Sequence, residues 1–312
     1  MARIGVLYGM EESFPPALVD RINSMGATGV VAEHLRVGGV RMAASSGYDV
    51  IVDRISHDIP FYRAFLKNAA LSGAKVINNP FWWSADDKFF NYSLAAKLGV
   101  AVPPTVLLPH KQHPEGTTGR SMRNLEYPLD WNAIFDYVGF PAFLKPHDGG
   151  GWRNVYKVHS PEEVFAAYNV SGTLCMTLQR AVKFQEYFRC YVVDRRLVHV
   201  MRYDPGAPHH ARYVPGNPPA SPELHARMVR DSLTLCWSLG YDLNTVEFAV
   251  EEGIPYAIDF MNPAPDAGLE SVGPENFQWI VNAVALMAVT RAQAPPEPPQ
   301  LRWDRFLRGE GK

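Results

Sequence analysis

Glu247, Asp259 and Asn262 lie within the stretch NTVEFAVEEGIPYAIDFMNPAPD, which runs from Asn244 to Asp266. Two apolar, β-branched runs flank a Glu-Glu-Gly turn and predict an antiparallel hairpin. With a turn of about three to five residues, Glu247 on the first strand comes to lie roughly opposite Asp259 on the second. Facing like charges destabilise a sheet unless something neutralises them. A divalent cation would do so.

Glu247, Asp259 and Asn262 carry the hard oxygen donors that Mg²⁺ and Mn²⁺ prefer. Magnesium is usually held by one or two carboxylates and completed by the phosphate oxygens of a substrate. The alternative is that these residues are solvated at the end of a hairpin, because most acidic side chains in proteins are exposed. The hairpin therefore predicts either a metal site or a solvated charged edge.

A second group of residues suits a polyphosphate. Lys145 ends a predicted strand in FPAFLKP, and the loop after it contains Gly149, Gly150 and Gly151. Glycines let backbone N–H groups approach a phosphate closely, and a lysine adds a point charge. Lys88 lies in the first turn of a predicted helix, where the macrodipole disfavours a cation. A glycine turn without a ligand and a surface lysine are the alternatives, and GxxxxGK[ST] is absent.

The segment PGAPHHARYVPGNPP, from Pro205 to Pro219, predicts a long loop of the kind that is more often functional than not. Arg212 is the candidate partner for a substrate carboxylate, because its planar guanidinium suits bidentate pairing. His209 and His210 are candidate substrate contacts. As metal ligands they are disfavoured, because no third soft ligand is spaced near them.

The elements that must position these residues differ along the chain. Strands and helices alternate over residues 1–80 and predict a small parallel α/β unit. No GxGxxG follows the first strand, so a Rossmann dinucleotide site is not supported. A helix over residues 85–98 is predicted, capped at Ser84 with Asp87 as the other member of a capping box. A strand over residues 100–106 that bears two prolines follows, and then a long loop over residues 110–129. From there strands dominate, with a helix capped at Ser160 among them, as far as a helix that begins at Ser221 and stops at Gly240.

Composition excludes several classes of protein. The 312 residues include 47% hydrophobic and 20% charged residues, and the net charge of -2 gives no reason to expect nucleic-acid or membrane binding. No run of about 18 apolar residues is present, and the first residues lack a signal-peptide pattern. Three widely spaced cysteines predict reduced thiols. We therefore expect a cytoplasmic protein.

The order of these features resembles the ATP-grasp superfamily over about residues 80 to 290. It combines Lys88 before a proline-rich strand, FPAFLKP with its glycine loop, QRAV at residues 179–182, and the acidic hairpin ending in IDFMNP. The resemblance implies two antiparallel sheets that clamp ATP, preceded by a small parallel α/β domain. The implied domains are residues 1–80, residues 81–292 with a lid subdomain at about 108–178, and a Pro-rich tail at 293–312.

The resemblance also implies a role for particular residues. ATP would be bound by phosphate-contacting lysines, a glycine flap, a hinge and a ribose-binding acid: Lys88, Lys145, Gly149, Gly150, Gly151, Gln179, Arg180, Ala181, Val182 and Glu186. Arg189 and Arg202, on the two arms of a predicted hairpin, would contact the γ-phosphate or an acyl phosphate. Glu247, Asp259 and Asn262 would hold the metal.

The activity implied is carboxylate–amine ligation, in which ATP phosphorylates a carboxylate and an amine displaces the phosphate. The cofactors would be ATP and Mg²⁺ or Mn²⁺. The substrates would be a small carboxylate and an amine of amino-acid or peptide-like character, and homo-oligomerisation is left open. Two alternatives remain: an ATP-binding non-catalytic or regulatory module, and a small-molecule kinase of the same fold.

One spacing departs from the superfamily. Its members usually carry an acid and an asparagine two residues apart, whereas Asp259 and Asn262 are three apart. Side chains alternate along a regular strand, so this separation places the two on opposite faces unless the chain bends or bulges. Pro263 and Pro265 favour such a bend.

Overall fold

The computed structural model describes residues 1–83, 87–148, 152–213 and 219–295. The described chain falls into two compact units. The first unit contains residues 1–83, 187–213, 219–248 and 259–295, and the second contains residues 87–148, 152–186 and 249–258. The domain limits predicted at residues 80 and 292 stay a prediction, because two compact units need not be two domains that fold independently.

The first unit begins with alternating strands and helices. These are β1 (Ala2–Leu7), α1 (Phe14–Ser24), β2 (Val30–His34), β3 (Val50–Asp53), α2 (Pro60–Leu71), β4 (Lys75–Ile77) and α3 (Pro80–Trp83). The strands pair in parallel in the order β2-β1-β3-β4. The predicted parallel α/β unit is confirmed.

Strand β3 explains why this sheet needs helices on both faces. Val50, Ile51 and Val52 are all completely buried. Val50 and Val52 join one apolar cluster, whereas Ile51 joins another that includes Leu66 of α2. Successive side chains of a strand point to opposite faces, so a continuous apolar run can be buried only between two layers.

The second unit is built around an antiparallel sheet. Its elements are α4 (Lys88–Lys97), β5 (Thr105–Leu108), α5 (Trp131–Val138), β6 (Ala142–Pro146), β7 (Tyr156–Val158), α6 (Pro161–Val170) and β8 (Met176–Arg180). The strand order is β5-β8-β6-β7. Leu144, Leu178 and Val164 belong to one buried apolar cluster, so the two helices α5 and α6 cover this sheet.

Helix α4 begins three residues later than the sequence predicts. The Asp87 side chain accepts a hydrogen bond from the N–H of Phe90 and is the observed N-cap. The predicted cap, Ser84, lies outside the described residues. An aspartate satisfies an N-terminal backbone N–H as well as a serine does, so the pattern contained two candidate caps.

The remaining elements form the third sheet and its helices. They are β9 (Glu186–Val193), β10 (Leu197–Arg202), a 3₁₀ turn (His209–Ala211), α7 (Pro222–Leu239), β11 (Leu243–Glu251), β12 (Ile254–Asp259), α8 (Leu269–Val272) and α9 (Pro274–Gln293). The strand order is β10-β9-β11-β12. Both predicted hairpins are confirmed. Within the described ranges, no helix is long and apolar enough to cross a bilayer.

Helix α7 begins and ends where the sequence predicts. The hydroxyl of Ser221 accepts from the N–H of Leu224, and Gly240 ends the helix in the left-handed region at a φ of 77°. Glycine reaches this conformation without the strain that a Cβ would cause. The strand β11 follows at once, so the end of α7 sets the start of the acidic hairpin.

Candidate functional site

The acidic centre of the first unit is Glu247, which lies on β11. Tyr187 of β9 donates a hydrogen bond of 2.6 Å to Oε2 of Glu247. Nε of Arg189 lies 3.4 Å from Oε1 of the same carboxylate. The carboxylate therefore has a phenol on one oxygen and a guanidinium near the other.

Electrostatics show that Asp259 is a neighbour of Glu247. Burial raises the pKa of Glu247, Arg189 opposes that rise, and the charge of Asp259 adds to it. The pKa of the Tyr187 phenol is also raised, first by burial and then by Glu247 and Asp259. Two acids this close favour a bound cation, because it would relieve both their mutual repulsion and the cost of burial.

Asn262 contacts β11 through Asn244 and Thr245, which precede Glu247 on that strand. Strand β12 ends at Asp259. Beyond it, Nδ2 of Asn262 donates to the carbonyl of Thr245 at 3.0 Å, and its backbone N–H donates to Oδ1 of Asn244 at 3.0 Å. The donated Nδ2 bond leaves Oδ1 as the side-chain atom with which Asn262 could bind a cation. The bend that the proline spacing favours stays a prediction.

The donor chemistry of this set fits magnesium or manganese. Two carboxylates and one amide oxygen are hard ligands, and magnesium commonly takes its other ligands from phosphate and water. In the described part of the chain, no three His, Cys, Asp or Glu side chains gather in a way that could hold a metal. A cation here would depend on Glu247, Asp259 and Asn262 together with a bound substrate.

Arg189 is enclosed by tyrosines. Its Nη1 donates to the Tyr213 hydroxyl at 2.7 Å, and its guanidinium lies 5.4 Å from the centre of the Tyr203 ring. The Tyr203 ring packs edge-on against Tyr213 at 5.1 Å and tilted against Tyr187 at 5.8 Å. These rings fix a permanently charged group beside Glu247, where it can stabilise added negative charge.

Arg202 lies on the other face of the same strands. In the β9–β10 pairing, Arg189 is opposite Met201 and Arg202 is opposite Phe188. Paired residues share a face and consecutive residues alternate, so the two arginines project to opposite sides. The Arg202 guanidinium lies over the Phe188 ring at 4.9 Å. The structure does not bring the two predicted arginines together.

The first part of the loop after β10 folds back onto that strand. The N–H of Asp204 donates to the carbonyl of Arg212 at 2.8 Å, and Tyr203 and Tyr213 form an isolated antiparallel bridge. Arg212 donates from Nε to the Ala207 carbonyl and from Nη1 to the Tyr203 hydroxyl. Arg212 is thus partly engaged in holding its own loop. Its charge also lowers the pKa of Glu247, which places it near the acidic centre.

Of the two histidines in that loop, only His210 has a described side chain. His210 is exposed within the 3₁₀ turn. The side chain of His209 lies outside the described residues. Their predicted role as substrate contacts stays a prediction.

Lys145 is the centre of a hydrogen-bonded chain in the second unit. Its Nζ donates to the Tyr92 hydroxyl and to Oε1 of Gln179, both at 2.8 Å. Nε2 of Gln179 donates a hydrogen bond of 2.7 Å to the Thr105 hydroxyl. The Tyr92 hydroxyl donates to the carbonyl of Ile258. These contacts hold the ammonium group at a defined point. Such a group suits an anionic ligand such as phosphate.

The predicted hinge has a definite internal structure. The N–H groups of Arg180 and Ala181 donate to the carbonyls of Pro104 and Pro141. The Arg180 side chain forms an ion pair with Glu251 at 2.6 Å and lies over the Tyr256 ring. The side chain of Gln179 also accepts the hydrogen bond from Lys145.

The other predicted ATP-binding residues lie at separate positions in the fold. Lys88 is the first residue of α4, and its N–H donates to the carbonyl of His147 at 3.0 Å. Val182 and Glu186 are half-buried, and Glu186 is the first residue of β9. The flap glycines Gly149, Gly150 and Gly151 lie outside the described residues.

Several residues that shape these centres were missed from the sequence. Tyr92 holds Lys145, Tyr187 and Tyr213 hold the acidic centre, and Asn244 holds the segment that carries Asn262. Asn244 did carry a signal, because it is a polar residue within an otherwise apolar strand. The tyrosines carried none, because tyrosine occurs both buried and exposed, so its presence alone indicates no contact.

The sequence has no match among protein-family models or curated proteins, but the fold has relatives among solved structures. D-alanine–D-alanine ligase from Bacillus anthracis complexed with ATP is 16% identical, with a TM-score of 0.60 over 94% of this chain and 97% of that one. An ATP-grasp RimK domain protein from Sphaerobacter thermophilus is 14% identical, with a TM-score of 0.64 over 94% and 100%.

A third similar structure was solved with a minimal precursor. The ATP-grasp ligase PsnB complexed with minimal precursor, Mg and ADP is 14% identical, with a TM-score of 0.62 over 93% of this chain and 98% of that one. These likenesses cover nearly the whole length of both chains, and the parallel sheet and two antiparallel sheets agree with them. The chain has the ATP-grasp fold.

Proposed function

We propose that the protein is an ATP- and Mg²⁺-dependent ligase that joins a small carboxylate to an amine through an acyl phosphate. The observation that carries the proposal is the acidic centre. Asp259 lies close enough to Glu247 to raise its pKa, and Arg189 lies beside the same carboxylate. Paired acids and an enclosed arginine are suited to a metal-bound, transferring phosphoryl group. The ATP-grasp fold supports the same activity.

The reaction has two balanced steps. A carboxylate oxygen attacks the γ-phosphorus of ATP, ADP leaves, and an acyl phosphate forms. The amine then attacks the acyl carbon, inorganic phosphate leaves, and the amine nitrogen loses a proton. Magnesium, when bound, would neutralise phosphate charge in the first step. Arg189 would stabilise the charge on the transferred group, since its guanidinium is fixed by Tyr213 and stays protonated.

The second unit would contribute the nucleotide contacts. Lys145 would neutralise phosphate charge from the position that Tyr92 and Gln179 give it. Lys88, at the start of α4, would add a second cation, and Glu186 would bind the ribose hydroxyls. The hinge from Gln179 to Val182 would contact the base. Arg202 is not part of this set, because it projects from the face opposite to Arg189.

The substrate class that we propose is an amino acid or a peptide. The names of two proteins that share this fold mention an amino acid, in D-alanine–D-alanine ligase, and a precursor peptide, in a complex of PsnB. Arg212 would pair with the acceptor carboxylate, because its bonds to the described residues of the loop use only Nε and Nη1. His210 is exposed on the same loop and would contact the same substrate.

Thermal unfolding of the full chain with ATP, with Mg²⁺ and with both tests nucleotide binding. A ligand that binds only the folded state raises its stability, by about 2.7 kcal/mol at a hundredfold excess over Kd. We expect a large shift only with both ligands. The double variant Glu247→Gln, Asp259→Asn should lose the shift, whereas Asp20→Asn, an exposed acid on α1, should keep it. A wild-type chain with no shift under any condition would overturn the proposal.

Product analysis separates the ligase from the other activities. With ATP and Mg²⁺, amino acids and short peptides are screened in pairs with amines for phosphate release and for a condensed product. A ligase releases phosphate only when both substrates are present. A phosphorylated product without phosphate release would indicate a kinase. ATP binding with neither outcome across the screen would favour a regulatory module.

A further inference from the structure

The position of Asn262 needs a physical explanation, because it lies three residues beyond Asp259, the last residue of β12, and still contacts β11 at Thr245. Strand β12 ends at Asp259, so ladder pairing does not hold the segment that follows. Phe260 within that segment is nevertheless almost fully buried. Something other than the sheet must fix the direction in which the Asn262 side chain leaves the backbone.

Asn244 supplies that support. It is completely buried on β11. Its Oδ1 accepts from the N–H groups of Asn262 and Thr245, at 3.0 and 2.9 Å. Its Nδ2 donates to the carbonyl of Phe260 at 2.9 Å and to Sγ of Cys236 at 3.6 Å. An asparagine side chain offers two acceptor positions and two donors, so Asn244 uses its full capacity.

A second buried asparagine supports the same segment. Asn78 is 1% exposed, and its Oδ1 accepts from the N–H groups of Asp242 and Leu243. Its Nδ2 donates to the carbonyls of Leu243 and Pro263. Asn78 therefore joins the start of β11 to the residue after Asn262, while Asn244 joins β11 to the residues before and at Asn262.

These bonds also set the orientation of the Asn262 amide. Its Nδ2 donates to the Thr245 carbonyl, and only the nitrogen side of an amide can do so. Oδ1 must then point away from that carbonyl. Asn244 fixes the backbone of Asn262, and Thr245 fixes its side chain, so the position of Oδ1 is determined by β11, the strand that also carries Glu247.

We infer that Asn244 is a positioning residue for the divalent cation, and that it allows an acid and an amide three residues apart to serve one site. It is not a ligand, because all four of its hydrogen-bonding positions are occupied. It acts through Asn262 by replacing the strand pairing that ends at Asp259. The inference rests on the proposed function, since it requires a cation held by Glu247, Asp259 and Asn262.

The test measures metal binding directly and does not depend on an unknown substrate. Mn²⁺ is titrated into the full chain in the presence of a non-hydrolysable ATP analogue, and bound metal is followed by electron paramagnetic resonance. We expect Asn244→Ala to weaken Mn²⁺ binding about tenfold, by analogy with the loss of other residues that orient metal ligands. Because Asn244 acts through Asn262, Asn262→Ala should weaken binding similarly, and the double variant should lose no more than either one.

A matched control separates positioning from general stability. Asn23 on α1 exchanges two hydrogen bonds with the backbone of Ala32, in a part of the first unit that carries none of the proposed ligands. Asn23→Ala should lower the melting temperature and leave Mn²⁺ affinity within about twofold, because only stability is affected. If Asn244→Ala does not fold, Asn244→Ser, which disturbs the core less, takes its place.

Each outcome bears on a different claim. A folded Asn244 variant that binds Mn²⁺ as tightly as the wild type would overturn the inference and leave the proposed function intact. Losses in the double variant that equal the sum of the single losses would also overturn it, because independent effects add. A wild-type chain that binds no Mn²⁺ with the nucleotide would remove the proposed function itself.

Discussion

The phenol of Tyr187 and the carboxylate of Glu247 form a hydrogen bond of 2.6 Å between adjacent strands of one sheet. This bond lowers the pKa of Glu247, yet burial and the charge of Asp259 leave that pKa above its ordinary value. Ionisation of Glu247 therefore destabilises the folded state when no cation is present. This destabilisation makes the centre sensitive to pH.

Glu247→Gln should change how stability depends on pH. Because the pKa of Glu247 is raised in the folded state, the folded chain holds this proton more tightly than the unfolded chain. Stability then falls as pH rises from the ordinary glutamate value through the raised one. Glutamine does not titrate, so the free energy of unfolding of the variant should rise relative to that of the wild type as pH increases through this range. Urea unfolding at a series of pH values with a chelator measures the difference.

A difference between Glu247→Gln and wild type that stays constant with pH would contradict this linkage. Asp20→Asn serves as the control, because Asp20 is exposed on α1. Adding Mg²⁺ and ATP should reverse the order of stability, since only the wild type keeps the charge that binds the cation.

Lys145→Met should weaken nucleotide binding without unfolding the second unit. The methionine keeps the volume of the side-chain stem but removes the ammonium that Tyr92 and Gln179 hold. Loss of a cation that contacts phosphate should cost ATP affinity about tenfold or more. Isothermal titration with ATP and Mg²⁺ measures the change. Lys157→Met, at an exposed position of β7 in the same sheet, should leave the affinity unchanged.

Local patterns predicted much of this fold. The caps at Ser160 and Ser221 lie at the starts of α6 and α7, and a Gly residue ends α7. Helix α5 (Trp131–Val138) was missed, although Asp130 caps it, because its eight residues show too few turns for a helical period to stand out. Strand β5 starts at Thr105 and not at Val100, since the adjacent prolines cannot donate to a ladder.

The candidate site was less accessible to sequence reasoning. The proximity of Glu247 and Asp259 could be predicted from the turn between them, because the two residues are close in sequence. Asn78 contacts the Leu243 carbonyl across 165 residues, and no local pattern carries such a pairing. Arg189 and Arg202 lie on opposite faces because the strand register differs by one residue from the one that would pair them. The residues of a turn do not specify the register to within one residue.

Glu251→Gln should destabilise the second unit in a way that depends on acid. Burial alone raises the pKa of Glu251, but the Arg180 hydrogen bond and the Lys183 N–H outweigh it, so this pKa is lowered. Such a group stabilises the fold above its ordinary pKa and stops doing so as pH falls through the lowered one. We expect a loss of about 1 kcal/mol at pH 7 that shrinks below about pH 4.

Urea unfolding at neutral and acidic pH measures this loss. Glu252→Gln is the matched control, because Glu252 is the next residue in the turn and its side chain is exposed. Equal effects of the two substitutions at pH 7 would show that the ion pair between Arg180 and Glu251 contributes nothing to stability.

Arg189→Ala should be the most destabilising of these changes. Removing the guanidinium leaves the Glu247 carboxylate enclosed beside Asp259 without its positive partner, at a cost of about 3 to 5 kcal/mol. Tyr213→Phe removes only the hydrogen bond to Nη1 and should cost about 1 kcal/mol. Arg196→Ala, at a largely exposed position of the neighbouring turn, should change stability by less than about 0.5 kcal/mol.

The pH dependence of the Arg189→Ala cost distinguishes lost charge compensation from lost packing. If the cost arises from the ionised carboxylate, protonation of Glu247 relieves it, and urea unfolding at about pH 5 should show a smaller loss than at about pH 7.5. A cavity left by the arginine stem would cost the same at both values, because packing does not titrate. A loss that is independent of pH would therefore assign Arg189 to packing, and its proposed effect on phosphoryl charge would lose its electrostatic basis.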